Sequence, residues 1–215
     1  MTNDVPIGAL IDHNLIPCSK ELSLQDYDDL TDSKLIASRY ADSQHNRFID
    51  AERWLDKYAR SLMEFGGELR DDVITTKTQT TITSSVAEFL VDSSKAMDNA
   101  QGNAMIDTLD ALKTDQPAIF SLDRESRNGQ RFQTASTKYD SKGNLHIAVF
   151  NFELVSRIDR SSFLFWSWKD ESVKIIQQKA IFKLNRADFD SQRTRMRALI
   201  SKITAQRFAL RKTRQ

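Results

Sequence analysis

Cysteine is nearly absent from this chain: Cys18 stands alone among 215 residues. One thiol excludes an internal disulfide framework and makes a reducing compartment the simplest setting. Only three prolines and six glycines interrupt the chain, and there is neither an internal repeat nor a low-complexity segment beyond one threonine-rich stretch. No apolar run approaches the roughly eighteen residues of a membrane-spanning helix. The start, Met1-Thr2-Asn3-Asp4, lacks the basic and apolar regions of a signal peptide. The expected location is therefore the cytoplasm as synthesised. Export by a dedicated secretion or injection system is compatible with the same features.

Histidine is scarce too, and His13, His45 and His146 fall in unrelated segments. His13 and Cys18 come nearest to a metal-like spacing, yet a useful site takes three or four ligands with supporting neighbours. As a nucleophilic pair they lack a third, orienting group. Asp123-Arg124-Glu125 could supply carboxylates to acid–base chemistry, but beside Asn128-Gly129 it reads as a solvated turn. Gly66-Gly67-Glu68 has neither the glycine spacing nor the Lys-Ser/Thr pair of a phosphate loop. No catalytic, metal-binding or cofactor-binding residue is assigned, no cofactor is expected, and the chain reads as non-enzymatic.

What is present is an ordinary globular profile, 40% hydrophobic and 28% charged, with apolar material enough for a core. Residues 117–184 read as an antiparallel β-meander. An apolar run at 118–122 leads to Asn128-Gly129, a dipeptide suited to a two-residue hairpin. A strand at 132–139 follows, then a turn at 140–144 with Gly143 in the left-handed position. The strand at 145–155 is apolar on both faces at its centre, as befits an interior strand. Phe163-Leu164-Phe165-Trp166-Ser167-Trp168 and 173–184 form the last hairpin, turning through 169–172.

Upstream, residues 1–20 read as irregular, and short helices are predicted at 23–30, with a Ser23-x-x-Asp26 cap, and at 32–41. The helix at 47–65 is far stronger: Phe48, Ala51, Leu55, Tyr58, Leu62 and Phe65 share one face. Gly66-Gly67 ends it. Residues 73–83, rich in β-branched threonine, read as a long strand at a sheet edge, with Lys77 discouraging edge-to-edge pairing. Helices at 84–97 and 103–113 precede the meander, and a final helix opens at Asn185. The fold class is α+β: a mainly antiparallel meander of five or six strands with helices packed on it. Residues 1–45 form an N-terminal helical extension, and residues 46–215 a single α+β domain.

The net charge of +1 hides an asymmetry, because residues 186–215 carry nine Arg or Lys against Asp188 and Asp190. A basic C-terminal helix on an acidic body is the clearest electrostatic feature. Arg193, Arg197, Lys202 and Arg207 are its candidate partner-binding residues, facing an acidic protein or lipid surface. Their spread over more than one helix face argues against nucleic acid, which needs phosphate-neutralising groups concentrated together. Trp166 and Trp168 are the candidate membrane or interface residues, since indole favours such boundaries; the competing reading is a core strand.

Taken in order, Trp54-x3-Tyr58-x3-Leu62 on a helix ending at Gly66, the Thr/Ser-rich strand, a helical pair, turn-linked strands and the Phe163-to-Trp168 run resemble small bacterial proteins of an uncharacterised, toxin-related group. The resemblance spans about residues 35–203. It implies no particular functional residue. The group's central helices are more apolar than Ala96-Met97-Asp98-Asn99-Ala100-Gln101-Gly102-Asn103, which argues against membrane entry by the helical pair. The function expected is a toxin-like or interaction protein that works through its surfaces, by binding a protein partner or by self-association. The alternative is a cytosolic binding or assembly module built on the basic helix.

Overall fold

The structure, a computed structural model, describes residues 6–79, 84–96, 98–155, 162–168 and 173–211. Seven strands form one sheet among these residues: β1 (Gly8–Ile11), β2 (Asn14–Pro17), β3 (Gly67–Gln79), β4 (Phe132–Tyr139), β5 (Leu145–Val155), β6 (Lys174–Leu184) and β7 (Arg207–Leu210). Six helices cover it: α1 (Leu24–Gln44), α2 (Ala51–Glu64), α3 (Val86–Lys95), α4 (Asn99–Thr114), α5 (Gln116–Ser126) and α6 (Arg186–Ile200). The spatial order is β3-β6-β5-β4-β2-β1-β7. Most neighbours are antiparallel, but β2 runs parallel to β4, with Asn14 opposite Gln133 and Leu15 opposite Thr134. The α+β class holds; the five- or six-stranded meander is corrected to a mixed sheet. A parallel pair needs a long crossover, and the stretch between β2 and β4 holds α1 to α5 together with β3.

The N-terminal residues are the largest departure from the sequence reading. Residues 8–17, expected to be irregular, make a tight hairpin whose two-residue turn is Asp12-His13, with Asp12 at φ 50°. Every residue of both strands is buried. The two helices expected at 23–41 are one, opened by Ser23, whose hydroxyl accepts from the Asp26 amide at 3.0 Å.

Two predicted strands take other forms. Residues 118–122 belong to α5: the Asp115 carboxylate accepts from the Ala118 amide at 3.0 Å, and Pro117 sits in the first turn where no amide hydrogen is needed. Ala118, Ile119 and Leu122 then face the core at helical spacing. Asn128-Gly129 therefore leads a helix into β4 instead of joining two strands. Gly129 is required there, because a Cβ would lie 2.5 Å from the Phe163 ring. Residues 163–168 are turn and irregular backbone, with the Phe165 amide donating to the Ser162 carbonyl. Phe163, Leu164 and Trp168 are nevertheless core residues, Phe163 lying 5.1 Å from Phe132 between ring centroids.

The remaining elements follow the sequence more closely. Four residues of the expected 47–65 helix precede α2, whose Trp54, Leu55, Tyr58, Ala59 and Leu62 are buried; Gly66 stops it at φ 89°. β3 lies at the sheet's edge and begins at Gly67, earlier than read, with a register break between Arg70 and Thr75. The predicted continuation through 80–83 and the turn at 169–172 lie outside the described residues. The turn at 140–144 joins β4 to β5 with Gly143 at φ 78°. α6 opens at Asn185, which accepts from the Asp188 amide, and closes at Ile200. Arg207 is thus on β7, drawn away from the helix by pairing with the open side of β1.

Alternation along the strands creates two cores. Ala135, Ile147, Val149, Ala180 and Phe182 face α1, α2 and α6. Leu15, Phe132, Phe150, Phe152 and Ile175 face α3, α4, α5 and the 163–168 segment. The sheet is accordingly the middle of three layers.

Candidate interaction surfaces

The basic helix meets its acids inside the molecule. α1 is polar along the side that packs on α6, and this is why its pattern looked weak. Arg193 grips Asp29 with two bonds, Nε to Oδ1 at 3.1 Å and Nη2 to Oδ2 at 2.7 Å, and also reaches Asp190 at 2.7 Å. Arg186 lies 2.6 Å from Asp26, and Arg207 2.7 Å from Asp32. Asp26 also takes hydrogen bonds from Ser23 and Tyr139. Burial pushes its pKa up, but the bonds from Tyr139, Ser23 and Arg186 outweigh it and hold the carboxyl below its ordinary range. Of the four predicted partner-binding residues, Arg193, Arg197 and Arg207 share one small cleft with Asp28, Asp29 and Asp32. Arg197 and Lys202 are exposed at the end of α6.

The two candidate interface tryptophans differ. Trp168 is only 1% exposed and belongs to the core, whereas Trp166 is 39% exposed. Phe165 and Ser167 line a groove between α3 and α4. Among the described residues, no helix is long and apolar enough to cross a membrane.

The sequence candidates for chemistry are separated by the fold. Cys18 is buried, its thiol donates to the Ile16 carbonyl at 3.6 Å, and burial pushes its pKa up to about 12. Such a thiol is a poor nucleophile at neutral pH. His13 caps the β1–β2 turn, and His146 on β5 lies 3.1 Å from Asp140. Among the described residues, no group of three or more His, Cys, Asp or Glu side chains is placed to hold a metal ion.

The outer ribbon of β3 and β6 presents an open surface. Thr75, Thr76, Lys77 and Thr78 are exposed, although they pair with β6. Side chains alternate across a strand, so these four leave both faces of the ribbon uncovered. On the α3 side lies a cleft of about 790 Å³, in the size range of ligand pockets. Its floor is Phe150 and Ile175, its wall Phe89 and Ser93 of α3 with Ala96 just beyond it, and its rim Thr75, Lys77, Gln177 and Lys179. The Lys179 ammonium stands 5.7 Å from the Phe150 ring centroid. Among the described residues, no carboxylate lines the cleft and neither Lys77 nor Lys179 has an ion-pair partner. The sequence marked Lys77 and the edge strand but not this cleft, whose members come from four separate elements.

No family model matches the chain, and no curated protein matches it. Among solved structures it is similar to the Evf virulence factor. That likeness has 9% identity and a TM-score of 0.48, over 94% of this chain and 85% of the other.

Proposed function

We propose that this protein is non-catalytic and acts through its surfaces, and that its principal recognition surface is the β3–β6 ribbon with the adjoining cleft. The observation that supports this reading is the combination of an outermost strand exposed on both faces with a cationic, aromatic-floored cleft beside it. An edge strand offers a row of backbone donors and acceptors to an incoming extended segment, and neighbouring pockets then select its side chains. Lys77, the register break after Arg70 and the uncompensated Lys179 oppose pairing with a second, equally basic copy. They favour an extended segment that carries acidic and aromatic or aliphatic residues. The toxin-like or interaction role implied by the sequence resemblance is served by such a surface.

The test is selection of peptides from a random displayed library on the folded protein, followed by hydrogen exchange on the complex. The expected ligands are acidic, protect amides of residues 75–78, lose affinity when alternate peptide nitrogens are methylated, and bind at least tenfold more weakly to Lys77→Glu/Lys179→Glu. Selected peptides that protect α6 instead would favour the alternative surface, the exposed Arg197 and Lys202.

A further inference from the structure

Beneath α1 and α2, away from the ribbon, the fold buries a set of polar side chains that have no partners. His13, at the hairpin turn, packs edge-on to Trp54 at 5.5 Å between centroids, and Trp54 stacks on Tyr58 at 5.3 Å. Lys34 of α1 places its ammonium 5.5 Å from the Tyr58 ring centroid. One turn along α1, Ser38 accepts from Asn14, which faces Gln133 across the parallel pair. The His13 carbonyl accepts from the Gln133 amide at 2.9 Å. His13, Lys34, Tyr58 and Gln133 are each no more than 1% exposed. Both ring nitrogens of His13, Nζ of Lys34, Oη of Tyr58 and both ends of the Gln133 side chain lack a hydrogen-bond partner.

Nearly all buried polar groups in folded proteins are hydrogen-bonded, so this set of orphans calls for a partner, whether water, an ion or a small ligand. The charge balance narrows its chemistry. Arg39 is paired to Asp12 at 3.0 Å and Arg47 to Asp42 at 2.8 Å, so the nearby carboxylates are already engaged. Lys34 has none, and its ammonium has only donors to offer. Tyr58, Gln133 and one nitrogen of His13 carry further unpartnered donors, beside acceptors on the Gln133 carbonyl and the second His13 nitrogen.

We propose that this interior is an anion site: a small oxyanion binds between Lys34, Tyr58, His13 and Gln133, with Lys34 as its counter-charge. The shared chemistry is a compact, singly or doubly charged group whose oxygens accept several hydrogen bonds, as carboxylates and tetrahedral oxyanions do. Burial lowers the Lys34 pKa to about 7, so at pH 6 the ammonium is charged and in need of a partner.

The experiment is thermal unfolding of the full chain at pH 6 and constant ionic strength, with chloride replaced stepwise by formate, acetate, phosphate or sulfate. Binding to the folded state alone should raise the midpoint by about 3–5 °C per tenfold rise in anion above its Kd. Lys34→Met should abolish that response. Tyr58→Phe, which keeps the ring and removes one donor, should shift it to about tenfold higher concentration. A response to formate and acetate alone assigns a carboxylate; a response to phosphate and sulfate that Lys34→Met abolishes assigns a tetrahedral anion. A midpoint indifferent to all four anions overturns the proposal and leaves water in the site. So does a response identical in Lys34→Met, since anions excluded from the surface stabilise any variant equally. If Lys34→Met does not fold, Tyr58→Phe decides: superposition on the wild-type curve overturns the proposal.

Discussion

Replacing one or the other member of the Asp29–Arg193 pair should have unequal effects, and the inequality follows from burial. The Asp29 side chain is 7% exposed and accepts from Arg193 and from Gln25 at 2.9 Å. Arg193 is 23% exposed and has a second, half-exposed carboxylate, Asp190, at 2.7 Å. Arg193→Met strands a buried carboxylate whose remaining donor is neutral, a change that costs about 3–5 kcal/mol. Asp29→Ala leaves the guanidinium with Asp190 and water, and removes a poor helix former from α1, so about 1–2 kcal/mol is expected. The double variant should cost less than the two singles together, with a coupling of about 1.5–3 kcal/mol. Urea unfolding of the four proteins at pH 7 measures the whole cycle. A loss below about 0.5 kcal/mol for Arg193→Met is the signature of a surface residue and would refute the buried seam. So would an Asp29→Ala variant as damaged as Arg193→Met.

Two further outcomes check the seam and the tryptophans. The folded-state pKa of Asp26 lies below its ordinary 3.8, so its contribution is complete above that value and lost as pH falls through the folded value. Asp26→Asn should therefore be the less stable protein at pH 6, the gap closing below about pH 4 in urea-midpoint measurements; a gap independent of pH would contradict this assignment. Trp54 and Trp168 are each 1% exposed and Trp166 is 39% exposed, so Trp166→Phe should remove most iodide-quenchable fluorescence while leaving the circular dichroism unchanged.

The legible parts of the fold carried a local signal, and β4 and β5 were legible at their observed bounds because turn residues delimit them, although both are largely buried. The turn at 140–144, the α2 stripe and the edge character of β3 each leave a local trace, either glycine with positive φ or an apolar period. β1 and β2 leave little, because each is only four residues long, shows no alternation when buried on both faces, and is broken up by Pro6, Gly8 and Pro17. Their one signal was the pair Asp12-His13 between two short apolar runs. Residues 118–122 and 163–168 are hidden for a different reason: an apolar run alone does not distinguish a strand from a buried helix or turn. The Asp115-x-Pro117 start of a helix competed locally and won, while Phe163 and Trp168 reach the core from irregular backbone. α1 looked weak because its inner side is matched to arginines about 160 residues later, a pairing that no local period can display. The same distance hides the buried cluster, whose His13, Lys34, Tyr58 and Gln133 sit on four elements.

The asymmetric charge of the sequence acquires a different meaning once the pairs are known. A basic C-terminal region on an acidic body suggests a surface waiting for an acidic partner, yet Asp26, Asp29 and Asp32 of α1 answer Arg186, Arg193 and Arg207 within the chain. No described lysine is in an ion pair, so surroundings and not the missing counter-charge set three of them apart: Lys77 and Lys179 at the rim of the ribbon cleft, and Lys34 in the core. Lys77 is exposed and Lys179 half-buried beside Phe150, so leaving them unpaired costs far less than burying an ammonium, and their significance lies in the side chains they select from an incoming strand. Lys34 is the opposite case. A fully buried ammonium without a partner opposes folding unless something neutralises or solvates it. A folded chain that places Lys34 there, with unpartnered polar groups on the β1–β2 turn, α2 and β4, is a chain with a stronger physical requirement for an occupant at that point than anywhere on its surface.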